Sequence, residues 1–211
     1  MKTILFVNAS LSGERSVSRV VAGELIARLQ RDNPGAVVVE RDLGRNPPPH
    51  IDLGVLGAAG TPAGERSADQ AGSAALADRL IEEVEAADAL VLAVPLYNFS
   101  VPSPFKAWID HVLRARRTFR YNADGSVAGL LGGRKVYVVS GRGGIYSEGP
   151  ARAMDFVEPY LRTVLGFVGL DDVTFVPVEG QAVGPEAAAQ GLDRARRHVA
   201  SLAPQPAAVA A

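Results

Sequence analysis

The N-terminal stretch Thr3-Ile4-Leu5-Phe6-Val7-Asn8-Ala9-Ser10-Leu11-Ser12-Gly13-Glu14-Arg15-Ser16-Val17-Ser18 decides the fold, because it passes from an apolar run through a hydroxyl-rich loop into a helix. Ile4 to Val7 is short and uninterrupted, the pattern of a strand covered on both faces. The run ends at Asn8 and is shorter than the apolar core of a secretory leader, roughly 7–15 residues, so it reads as a first strand. Beyond Ser18, Val21, Leu25 and Leu29 recur every fourth residue and give the helix one apolar stripe.

The same alternation continues down the chain. Apolar runs at Val37 to Val39, Ala89 to Val94, Val136 to Val139 and Val173 to Val178 predict four more strands, and Leu76, Leu80, Ile81 and Val84 form a second helical stripe. Strands alternating with helices imply βαβ units and an α/β fold with a parallel sheet. Five strands predict a doubly wound sheet, for which the order 2-1-3-4-5 is one of two common solutions. A length of 211 residues suits one domain. It is expected to span 1–201, with a frayed tail over 202–211. Gly44 to Ser73, rich in Gly, Ala and Pro, reads as a long functional or mobile connection. Asp124-Gly125 predicts a hairpin within Thr118 to Gly133.

Composition narrows the function. Twenty-two basic and 23 acidic residues leave a formal net charge of −1, which provides no field for nucleic acid or an anionic membrane. No window approaches the roughly 18 apolar residues of a membrane span, so a cytoplasmic protein acting on small molecules is expected. Zero cysteines remove disulfides, thiolate catalysis and Cys-based metal sites.

In an open parallel sheet the ligand lies beyond the carboxyl ends of the strands, near the switch in strand order. Three loops qualify. Asn8 to Ser18 ends at a helix start, where free N–H groups and the helix dipole favour a phosphate; a capping role for Ser16 or Ser18 is equally open. Pro95-Leu96-Tyr97-Asn98-Phe99-Ser100-Val101-Pro102 presents aromatics on a proline-stiffened loop suited to a flat ring. Ser140-Gly141-Arg142-Gly143-Gly144 lets backbone approach a ligand closely. There is no G-x-x-x-x-G-K-[ST] run, and no G-x-G-x-x-G follows the first strand. His50, His111 and His198 have no metal spacing, and His111, beside Asp110, reads as solvated. With no catalytic acid–base constellation and no metal site, the chemistry is expected to reside in a cofactor.

At these loops the sequence resembles the FMN-dependent NADH azoreductase family, flavodoxin-like quinone and azo-dye reductases that act as homodimers. The resemblance spans nearly the whole chain and is densest in Tyr97-Asn98-Phe99, Thr118-Phe119-Arg120-Tyr121, Arg142-Gly143-Gly144-Ile145, Pro159-Tyr160-Leu161, Leu165-Gly166-Phe167 and Glu179-Gly180. It implies that Ser10, Ser16, Val17 and Ser18 hold the FMN phosphate. It also implies that Leu96, Tyr97, Asn98 and Phe99 lie along the isoalloxazine ring, and that Gly141, Arg142, Gly143 and Gly144 meet its pyrimidine side. NADH or NADPH is the implied donor, and quinones and azo compounds the acceptors. The family commonly has Met, Ser and His where this chain has Leu96, Gly141 and Tyr146; at Gly141 one side-chain hydrogen bond to the flavin is then either missing or supplied by Ser140. A single-electron flavodoxin carrier is the alternative reading, disfavoured by the nearly neutral chain.

Overall fold

The computed structural model describes residues 1–202. Of the expected tail, all but Leu202 lies outside them. Among the described residues seven strands form, β1 (Thr3–Asn8), β2 (Val37–Asp42), β3 (Ala89–Ala93), β4 (Phe119–Tyr121), β5 (Val127–Gly129), β6 (Lys135–Gly141) and β7 (Val173–Val178). Six α-helices accompany them, α1 (Val17–Asp32), α2 (Leu53–Ala59), α3 (Ala68–Ala86), α4 (Ser103–Val112), α5 (Val157–Phe167) and α6 (Pro185–Ser201). The parallel sheet runs β2-β1-β3-β6-β7, and β4 and β5 pair as a separate antiparallel hairpin. Counting only the five parallel strands, the order is 2-1-3-4-5.

Period-two alternation divides the core. Leu5, Val7, Leu90, Leu92, Val136 and Val138 face one cluster, with Leu80 and Val84 of α3, Trp108 of α4 and Leu161 of α5. Ile4, Phe6, Val91, Tyr137 and Val139 face the other, with Val21 and Leu25 of α1 and Ala195 of α6. Each fully buried Leu or Ile side chain contributes about 1.5–3 kcal/mol relative to exposure, which is why the central strands carry almost no polar residue. The edge strand β2 departs from the expectation of double coverage: Val37 and Val39 are exposed, and among the described residues β2 pairs with β1 alone.

The Gly44 to Ser73 segment, expected as a long functional or mobile connection, contains α2 and a short 3₁₀ turn at Ala63–Glu65, with Asp52 capping α2 through Val55 N–H. One other expectation changes. His111 is not solvated. It is buried at the end of α4, and its Nε2 lies 2.9 Å from the carbonyl of Pro49, so it tethers the proline run to α4. Spacing placed His111 next to Asp110 but not on the helix face turned inward.

Candidate functional site

The carboxyl ends of β1, β3 and β6 open into a cavity of about 430 Å³ lined by residues of all three following loops. Ser10, Ser12, Arg15, Ser16, Val17 and Ser18 come from the first loop, Pro95, Leu96 and Tyr97 from the second, and Gly141, Arg142 and Gly143 from the third. Nine of the twelve residues named from sequence therefore converge. Asn98, Phe99 and Gly144 do not line this cavity: Asn98 faces an adjoining one with Tyr97, and Phe99 is exposed. Ser12, Arg15, Pro95 and Gln181 were missed. Gln181 follows β7, and the rule that ligands gather beyond strand ends covers that loop as well.

The first loop is built for an anion. Ser16 is the N-cap of α1, its hydroxyl accepting from Arg19 N–H, so the capping alternative is real. Capping uses only the lone pairs, and of the Ser16 and Ser18 hydroxyl protons one bridges the two oxygens and the other is left to donate. Ser16 Oγ and Ser18 Oγ stand 3.0 Å apart, both buried. Val17 and Ser18 belong to the first turn, whose N–H groups have no intrahelical acceptor.

The second loop is a tight turn. Tyr97 and Ser100 exchange backbone hydrogen bonds at 3.0 Å, and the central residues Asn98 and Phe99 both take positive φ, 48° and 71°. Phenylalanine rarely adopts that conformation, so surrounding contacts hold it, including Phe156 N–H to the Phe99 carbonyl at 2.9 Å. Tyr97 Oη links the turn to the first loop through Ser10 Oγ and Leu11 N–H, each at 3.3 Å.

The third loop is tied back by its carbonyls. Arg142, Gly143 and Gly144 accept from Gln181, Ala182 and Gly180 at 3.1, 2.8 and 2.9 Å, while the N–H groups of Gly143 and Gly144 donate to nothing among the described residues. Beneath the loop lies a buried charge cluster. Arg142 Nη2 is 2.9 Å from Asp155 Oδ2 and its Nη1 3.4 Å from Glu179 Oε1, with all three side chains under a tenth exposed. Glu179 also accepts from Tyr146 N–H at 2.8 Å and Ser147 Oγ at 2.6 Å.

Burial pushes the Glu179 carboxyl up, but hydrogen bonds from Ser147 and Tyr146 and the Arg142 cation outweigh it and hold it below the ordinary carboxylate range. A depressed folded pKa stabilises the fold above the unfolded value, near 4.3, and that stability is lost as pH falls through the folded value. Glu179→Gln is therefore expected to lower the melting temperature near neutrality and to flatten its fall between about pH 5 and pH 3, read by thermal melts across that range.

Gly141 is constrained. A Cβ there would lie 2.9 Å from Val17 Cγ1, so the third loop packs directly on the start of α1. Ser140 is not the substitute hydroxyl: it does not line the cavity, alternates to the opposite face with Val136 and Val138, and its buried Oγ has no partner.

Residues 2–202 match the family model described as "Flavodoxin-like fold". A curated FMN-dependent NADH:quinone oxidoreductase of Herminiimonas arsenicoxydans is 48% identical over 204 residues, covering 97% of this chain and all of that one. Another of the same name, from Hyphomonas neptunium, is 46% identical over both full lengths. The chain belongs to the flavodoxin-like azoreductase and quinone-reductase family. Solved members of the flavodoxin-like family agree in shape. The azoreductase from Bacillus anthracis str. Sterne superposes with a TM-score of 0.84 at 30% identity, covering 96% of this chain and all of that one. An FMN-dependent NADH-azoreductase from Bacillus anthracis str. Ames Ancestor, solved in complex with FMN, gives 0.82 at 25% identity over 95% and 98% of the two chains. Among the described residues, no helix of this family member is long and apolar enough to cross a membrane, and no cluster of His, Cys, Asp or Glu is placed to hold a metal.

Proposed function

We propose that the chain is a cytoplasmic FMN-dependent NADH:quinone oxidoreductase that also reduces azo compounds, working as a homodimer of a single domain spanning 1–201. The observation that carries this reading is the pairing, in one cavity, of an anion cradle at the start of α1 with a loop whose carbonyls are tied back and whose Gly143 amide is free. These residues fit FMN. The buried hydroxyls of Ser16 and Ser18, the N–H groups of Val17 and Ser18 and the Arg15 cation suit its phosphate, while Leu96 and Tyr97 offer a flat wall to its ring. When bound, FMN supplies hydride chemistry: it accepts two electrons from NADH and passes them to an acceptor.

The chain's own work is to bind, orient and exclude water. The free amide of Gly143, on the cavity wall, would be a preorganised donor for negative charge at the ring edge. No side-chain acid is needed for a quinone, whose oxygens take protons from water, whereas full azo cleavage needs two rounds of reduction. Steady-state double-reciprocal plots at several quinone concentrations are expected to be parallel, and benzoquinone or naphthoquinone to exceed a simple azo dye in kcat/KM. Intersecting lines would defeat the shared-pocket reading. A protein that holds FMN but oxidises no NADH would instead support the single-electron carrier.

The segment after β2 braces the cradle. A Cβ on Gly44 would lie 2.1 Å from the Ser10 carbonyl, so that carbonyl or the segment must shift if any side chain is added. Gly44→Ala is expected to weaken FMN binding about tenfold, roughly 1.4 kcal/mol, with the fold kept. Fluorescence titration of FMN into the apoprotein checks this, and unchanged affinity would show that Ser10 takes no part.

A further inference from the structure

A second cavity, of about 230 Å³, lies where the chain after α2 meets the residues after α4, and it shares no lining residue with the first. Four arginines line it: Arg66, Arg114, Arg116 and Arg117. The side chains of Arg66 and Arg114 are only 6% and 7% exposed and share one carboxylate, Asp78, with Arg66 Nη1 2.7 Å from Oδ2 and Arg114 Nη2 bonded to Oδ1. Arg117 forks onto Glu85 at 2.8 and 2.7 Å. Arg134 and Glu82 are the next charges acting on that pair. The four guanidiniums on the cavity wall thus face two carboxylates, Asp78 and Glu85, an excess of two positive charges.

Two observations show which partner is lacking. Arg114 Nη1 is buried with no hydrogen-bond acceptor among the described residues. An unsatisfied buried donor is costly, and a charged one more so. Arg116 forms no ion pair among the described residues, and its Nη2 donates only to the Gly60 carbonyl, at 3.0 Å, on the cavity wall.

We propose that this cavity binds a small tetrahedral oxyanion, free phosphate or sulfate. Guanidinium forks match such oxyanions in geometry as well as charge. The volume falls below the roughly 300–1,000 Å³ of sites for drug-sized ligands, which excludes a dinucleotide. An occupant would join the Gly60–Arg66 stretch to the base of the β4–β5 hairpin, two segments otherwise linked here by Arg116 and the Asp78 pairs.

Arg116 permits a clean test because its φ is +66°, a conformation that glycine adopts without strain, so Arg116→Gly removes the guanidinium and keeps the backbone. The FMN-loaded protein, prepared in phosphate-free chloride buffer, is titrated calorimetrically with sodium phosphate and sodium sulfate at constant ionic strength. Saturable binding is expected in the wild type, weakened at least tenfold in Arg116→Gly and partly restored in Arg116→Lys. A Ser16→Asp variant, whose first loop repels anions, is titrated without FMN beside the wild-type apoprotein and is expected to bind phosphate as that apoprotein does. Heat no greater than that of added chloride, or binding unchanged by Arg116→Gly, overturns the proposal. Binding lost in Ser16→Asp but kept in Arg116→Gly would assign the anion to the serine loop and equally overturn it, without touching the reading of that loop as an FMN cradle.

Discussion

Ser16→Asp is expected to lower FMN affinity by at least a thousandfold while leaving the apoprotein about as stable as the wild type. Ser16 has two separable jobs. As the N-cap of α1 it accepts from Arg19 N–H, and Asp performs that task as well as Ser does and also complements the positive end of the helix. As a wall of the cavity it is proposed to donate to phosphate, and there a carboxylate does the opposite. Losing a charge-assisted hydrogen bond costs about 1.5–3 kcal/mol. Placing two like charges about 4 Å apart at an effective dielectric constant near 20 adds about 4 kcal/mol. Together they exceed the roughly 4 kcal/mol that a thousandfold change requires. Double replacement of Ser16 and Ser18 by Ala removes hydrogen bonds without adding repulsion, so it weakens FMN less and, by deleting the cap, lowers the melting temperature. FMN titration beside melts of the apoproteins separates the two roles. Ser16→Asp that still binds FMN with wild-type affinity would place the phosphate elsewhere.

The three loops of the site were legible because each signal was local. Hydroxyls at a helix start, prolines around aromatics and glycines after a strand report their own backbone requirements, and the parallel topology brings the loops together. What was not legible depended on distant contact. His111 is buried because the proline run folds back and Pro49 offers it a carbonyl. Phe99 stays exposed in a left-handed turn that no propensity scale predicts. Within the Gly44 to Ser73 segment α2 was not legible because it is a single short helix whose Leu53 and Leu56 are exposed, so it carries no buried apolar stripe, and its ordering comes from packing on α3. Arg142 was named as a ligand contact, but its two carboxylate partners lie 13 and 37 positions away, and spacing does not reveal pairs of that kind.

That triad carries the second large effect: Arg142→Met is expected to destabilise the fold by about 3–5 kcal/mol near neutral pH. Methionine fills much of the same volume, so the loss is not mainly a cavity. It arises because Asp155 and Glu179 stay buried while the cation between them disappears, and an uncompensated buried charge costs far more than the intact cluster gains. For a chain of this size, about 2–4 °C per kcal/mol predicts a fall in melting temperature of roughly 6–20 °C. The pH dependence identifies the cause. In the wild type, Arg142 helps to hold Glu179 below the ordinary carboxylate range, so the protein loses stability on acidification. Without the cation that carboxyl titrates higher than in the wild type although Ser147 and Tyr146 still hold it, so protonating it costs less stability. The gap between wild type and Arg142→Met must then narrow as pH falls from about 7 towards 4. Because Gln181 N–H bonds to the Arg142 carbonyl and Gly180 N–H to that of Gly144, loosening the cluster also loosens the loop that presents the free Gly143 amide. FMN affinity is expected to fall with stability. A gap that stays constant across pH would mean that packing, and not charge, is what Arg142 provides.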